Sequence, residues 1–233
     1  EKDVKAVNDF FEQNLPKEAS NYKGFSERLS YYQSYCWYGF ILQDLLMYYR
    51  YCQKWVDLFE QEQFMKRVDS QMYIKGMHNL LNAHFMLRNY DKFNIALHQF
   101  ENFYRSKEAN SNDNNRIQTF IYLYTGKINK HFLEGSFSQG LKLVPHIEEK
   151  LAEYELKLDR HRVLVFYYKI ACLYFGSGDN EKTIDYLNRI INWKVDLRTD
   201  LQCYSRLLHL IAHYELGNYD ILESLIKSVY RFM

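Results

Sequence analysis

The chain has 233 residues, 47% hydrophobic and 25% charged, and its 30 Lys and Arg against 29 Asp and Glu leave a formal net charge of +1. Two Pro and nine Gly are too few for the turns of a β-sandwich or barrel and leave long helices unbroken, while 22 Tyr, 16 Phe and three Trp supply too much apolar surface for disorder. The near-zero charge sets up no global field toward nucleic acid or an anionic membrane, and no run of about 18 apolar residues is present to span one.

In chain order, the start EKDVKAVNDF is charged and amphipathic rather than signal-like and predicts a helix over 2–14. A chain that does not open on Met fits a piece of a longer protein. Pro16 and Gly24 mark a loop, after which helical periodicity predicts long pairs at 26–66, 67–108, 115–157, 160–194 and 198–232. The most polar stretch, KEANSNDNNR from Lys107 to Arg116, reads as a surface loop too short to link domains, so one continuous domain over 1–233 is expected.

The clearest unit is the fourth. Tyr167, Ile170, Ala171 and Tyr174 follow the i, i+3, i+4, i+7 stripe of an amphipathic helix. Gly178 then closes the helix and Asp179 caps the next, whose stripe is Ile184, Leu187, Ile190 and Ile191. Similar turn segments begin at Arg88, Gly135 and Gly217, with a weaker fifth at Arg50-Tyr51-Cys52-Gln53-Lys54-Trp55. The spacings are 38, 47, 43 and 39 residues, a period that signals a solenoid of helix pairs.

Tyr167, the Ile170-Ala171 pair, Tyr174, Gly178-Asp179, small Thr183, Leu187 and Ile190 resemble a tetratricopeptide repeat. The match is best over 164–193, weaker around 88, 135 and 217, and poorest before residue 60. Phe93 and Leu222 depart from the pattern by standing where it wants a small residue. The chain therefore resembles a divergent, long-helix tetratricopeptide-like array of the kind found in bacterial repeat proteins. That resemblance implies an all-α fold, an α–α superhelix of about five antiparallel pairs plus the N-terminal helix, about eleven helices in all.

It also implies where a partner binds, because in such arrays the first helix of each pair lines a concave groove. Aligning on the turns places His78, Asn82 and Phe85 there in the second pair, Tyr122, Thr125, Asn129 and Phe132 in the third, and Tyr168, Lys169, Cys172 and Phe175 in the fourth. Asn82 and Asn129 hold equivalent positions. In some members an Asn there, with Lys or Arg nearby, clamps the C-terminal carboxylate of a peptide. Here His78 and Thr125 stand one turn earlier instead of Lys, and Lys169 is the nearest substitute.

No catalytic constellation competes with this reading. His209 and His213 share a helix face at i, i+4, but no Glu follows His209 and a third metal ligand is missing from the segment. Gly176-Ser177-Gly178 reads as a hairpin turn rather than a phosphate cradle, and Glu148, Glu149, Glu153 and Glu155 as a solvated face. Cys36, Cys52, Cys172 and Cys203 form no C-x-x-C pair and suit reduced, buried thiols in the cytoplasm. The expectation is a non-catalytic, cytoplasmic interaction module that needs no cofactor or metal and holds a protein or peptide segment. Homo-oligomerisation is left open. The alternatives are a single-stranded RNA binder that stacks bases on its aromatics, although no basic position repeats, and an enzyme whose site converges only in three dimensions.

Overall fold

A computed structural model describes residues 3–16, 22–193 and 198–232. Residue 2 of the expected first helix, positions 17–21 of the loop after Pro16, and position 194 at the end of the fourth pair lie outside the described residues. The described chain is all-helical. In order, it forms α1 (Val4–Asn14), α2 (Phe25–Leu42), α3 (Leu45–Gln61), the short α4 (Met65–Val68), α5 (Ser70–Met86), α6 (Tyr90–Tyr104) and α7 (Asp113–Glu134). The short α8 (Phe137–Gly140), a 3-10 turn at Leu141–Leu143, α9 (Val144–Glu153), α10 (Arg160–Ser177), α11 (Asn180–Ile191), α12 (Thr199–Glu215) and α13 (Tyr219–Phe232) follow. Among the described residues, eleven of these helices run to ten residues or more, and the expected pair ranges contain α2/α3, α5/α6, α7/α9, α10/α11 and α12/α13.

One turn design ends the first helix of every pair. Gln43, Arg88, Gly135, Gly178 and Gly217 all take the left-handed conformation, with φ of 61°, 52°, 65°, 87° and 75°. The next residue's N–H reaches back to the carbonyl five positions earlier. These bonds run from Asp44 to Gly39, Asn89 to His84, Ser136 to His131, Asp179 to Tyr174 and Asn218 to His213, at 2.9–3.1 Å. They satisfy carbonyls that a helix end would otherwise orphan. Asp44, Asn89 and Asp179 then cap the second helix, their Oδ1 atoms accepting from the N–H groups of Met47, Lys92 and Lys182. Two- or three-residue connections of this kind make the joined helices antiparallel neighbours.

This corrects the first turn. Arg50–Trp55, expected as a weak fifth hairpin, lies in the middle of α3, and the real turn is Gln43-Asp44. The left-handed positions are therefore 43, 88, 135, 178 and 217, and the first spacing is 45 rather than 38. Gly176 is corrected as well: it sits inside α10, where a Cβ would come within 2.4 Å of the Phe137 ring, so it serves a close helix approach and not a turn. The expected loop at 107–116 ends early, because Asn112 accepts from the N–H of Asn115 and starts α7 at Asp113.

At two of the turns a glycine closes the helices together. The residue four before the left-handed position meets the residue five after it. Gly39 lies against the backbone of Tyr48, where a Cβ on Gly39 would be 2.7 Å from the Tyr48 nitrogen. Gly140 lies against His131 in the reverse arrangement. Thr183 is fully buried and donates to the carbonyl of Asp179 at 2.8 Å. Phe93, the departure from the small-residue pattern, is fully buried too. The position is buried in four of the five pairs, with Leu222 the half-buried exception.

The chain divides into two compact units, Glu1–Gly126 and Lys127–Met233. In the first, α2 packs on α3, α3 on α5 and α5 on α6, around Phe59, Tyr73, Met77, Phe93 and Phe100. In the second, α10 packs on α11, α11 on α12 and α12 on α13, around Phe166, Ile170, Leu173, Leu187 and Ile190. Inner helices such as α3, α5, α11 and α12 pack against a helix on either side, which buries much of the aromatic surface. No helix among the described residues is long and apolar enough to cross a membrane.

Candidate functional site

The shared turn fixes the register of the first helices, and the register sorts their side chains. Counting back from the left-handed residue, position −3 is aromatic in all five pairs: Phe40, Phe85, Phe132, Phe175 and Tyr214. Position −6 holds Trp37, Asn82, Asn129, Cys172 and Ile211, and position −10 holds Gln33, His78, Thr125, Tyr168 and Leu207. These three positions share one helix face.

In the first unit the structure brings three of the expected residues together. Asn82 Nδ2 donates to His78 Nε2 at 3.2 Å. The His78 ring stacks on Tyr122, with centroids 3.9 Å apart and planes 12° from parallel. Tyr122 is only 7% exposed, so it supports His78 from below. Phe85 is half-buried with its ring 6.5 Å from Phe93, and Thr125 is half-buried. Sequence reasoning missed two residues on this face because it misplaced the first turn. Trp37 is 56% exposed and Phe40 45%, and their rings meet edge to face at 6.0 Å. The corrected register at Gln43 was the signal that finds them.

In the second unit Asn129, Phe132 and Lys169 converge, while Tyr168 lies beside Cys172. Lys169 Nζ donates to Asn129 Oδ1 at 2.6 Å and lies 5.3 Å from the centre of the Phe132 ring. Asn129 is only 4% exposed, so its amide is held in place by Lys169 within the structure. Burial pulls the Lys169 amine down to a pKa of about 8, with the nearby Cys172 thiol acting in the opposite sense. Burial also raises the Cys172 thiol and the Tyr168 phenol above their ordinary values. Tyr214, at the recurring aromatic position of α12, is 56% exposed.

The other candidates resolve into local structure. The rings of His209 and His213 meet at 4.5 Å, and Asn218 Nδ2 donates to His213 Nδ1 at 3.0 Å. Among the described residues no group of three His, Cys, Asp or Glu side chains is placed to hold a metal. Ser177 donates to the carbonyl of Tyr174 within its own helix and opens no cradle. Glu148 is more than a solvated carboxylate. It accepts from the Tyr186 hydroxyl at 2.6 Å and from Arg189 at 3.2 Å, beside a cavity of about 700 Å³ lined by Leu151, Tyr167 and Trp193 among others.

The sequence matches no known protein-family model and no curated protein.

Proposed function

We propose that the chain is a non-catalytic interaction module, built from tetratricopeptide-like helix pairs, that holds a protein or peptide segment against the first helices of those pairs. The recurring aromatic at position −3, with Phe40 and Tyr214 left about half exposed, carries this reading. A core position has no need to leave a large ring in water, as two of the five pairs do, whereas a surface that grips an extended segment uses such rings as anchors. Asn82 and Phe85 in the first unit, and Phe132, Tyr168 and Lys169 in the second, supply polar and apolar contacts on their own first helices. Tyr122 and Asn129 act beneath them, fixing His78 and Lys169. The four cysteines, all free thiols, support placing the module in the cytoplasm.

A peptide array probed with the purified chain tests this. Segments that bind should lose affinity at least about tenfold when Phe132→Ala or Asn82→Ala is introduced, with the helical circular-dichroism signal unchanged. An array with no bound segment, or binding indifferent to both substitutions, contradicts the reading.

A further inference from the structure

Cys36 in α2 and Cys52 in α3 face one another across the first hairpin. Both are buried, and their Sγ atoms lie 3.2 Å apart. A disulfide bond is about 2.05 Å long, so an approach of about 1 Å closes the gap. Gly39 lets the two helices come this near, because α2 lies directly against the Tyr48 backbone at that point. Tyr48, one turn before Cys52, is itself buried, and its hydroxyl donates to Asn79 at 3.1 Å, sealing the pair from that side.

We propose that Cys36 and Cys52 are a site of oxidative cross-linking, joined by exchange with a low-molecular-weight disulfide of the glutathione type. One cysteine thiolate attacks a sulfur of the small disulfide, forming a mixed disulfide and releasing one thiolate of the reagent. The second cysteine, having lost its proton to solvent, displaces the remaining reagent thiolate. Overall, two protein thiols and one small disulfide become one protein disulfide and two small thiols, so two electrons pass to the reagent. Burial holds the Cys52 thiol well above its ordinary pKa, so little thiolate is present and the exchange waits on a local opening of the α2/α3 hairpin. The cross-link is therefore slow to form, and once formed it ties α2 to α3 next to Trp37.

The test incubates the reduced full chain with oxidised glutathione at about pH 8. The mixture is then quenched, alkylated and mapped by mass spectrometry, with half-buried Cys172 and Cys203 as internal references. The expected result is a linked pair of peptides carrying Cys36 and Cys52 and lacking two hydrogens. Thermal unfolding should rise by several degrees and return to its starting point with dithiothreitol, and Cys36→Ala should abolish both effects. The mapping on the unaltered chain stands even if that variant folds poorly. Recovery of Cys36 and Cys52 fully alkylated, including in urea just below the unfolding transition, overturns the proposal. So does a stable glutathione adduct on either one with no link between them.

Discussion

Lys169 Nζ donates to Asn129 Oδ1 at 2.6 Å, joining the first helices of two successive pairs, α7 and α10, through residues of the second unit. An ammonium held so far from water costs solvation energy, which the amide oxygen and the Phe132 ring only partly restore. The depressed pKa of about 8 is the consequence.

Lys169 should therefore contribute stability that grows with pH as it titrates. Between about pH 8 and the ordinary lysine value near 10.5, the unfolded chain keeps its proton while the folded chain has lost it. The folded state gains over that interval, by at most about 3 kcal/mol for a shift of this size. Thiols and phenols that burial raises, Cys52, Cys172 and Tyr168 among them, act in the opposite direction from about pH 8.5 upward, so the Lys169 contribution is read as a difference between two proteins. In urea unfolding between about pH 8 and 9.5, the stability of the unaltered chain relative to Lys169→Met should rise with pH.

Acid should act through two other buried bases. Burial, reinforced by Lys92, lowers His84 to a pKa of about 4, and burial, with His213 and Arg206, does the same for His209. Both are neutral in the fold, so their stabilisation is complete above about pH 6.5. It is lost as pH falls toward 4, where the unfolded chain takes up protons that the folded chain does not. His84→Gln should show a shallower loss of urea midpoint between pH 6.5 and 4 than the unaltered chain, even if it starts lower at neutral pH.

The turns offer a stability test with both signs. Gln43 and Arg88 hold the left-handed conformation with a Cβ, whereas the other three turns use Gly. Gln43→Gly and Arg88→Gly should each stabilise by about 0.5–1 kcal/mol, by removing that steric strain. Gly39→Ala should cost about 2–3 kcal/mol, since the new methyl group would strike the backbone of Tyr48, which has no flexible end to move. Chemical denaturation of the three variants measures all of this.

These turns also show what the sequence made legible. Gly135, Gly178 and Gly217 announced three hairpins, and Arg88-Asn89 a fourth through its cap. Gln43-Asp44 hid the first, because Gln rarely takes that conformation and nothing in its type marks a break. With the turn set at Arg50 the first pair was given no face residues, and Trp37 and Phe40 went unread. On that face the alignment placed Asn82, Phe85, Asn129 and Phe132 on equivalent sides of their helices. It did not show that Lys169 would reach back one pair to Asn129, or that Tyr122 would stack beneath His78. Those are contacts between helices, and no periodicity within one helix encodes them. Cys36 and Cys52 were individually readable as buried, but their proximity follows from the true position of the turn between them.

The central claim is that the recurring aromatic face grips a partner segment. The most direct measurement is the dissociation constant of an array-selected peptide for the unaltered chain and for Phe132→Ala, by fluorescence anisotropy under identical salt. The account predicts at least about a tenfold weakening with unchanged helicity. Equal affinity of the two proteins for every selected peptide would contradict it.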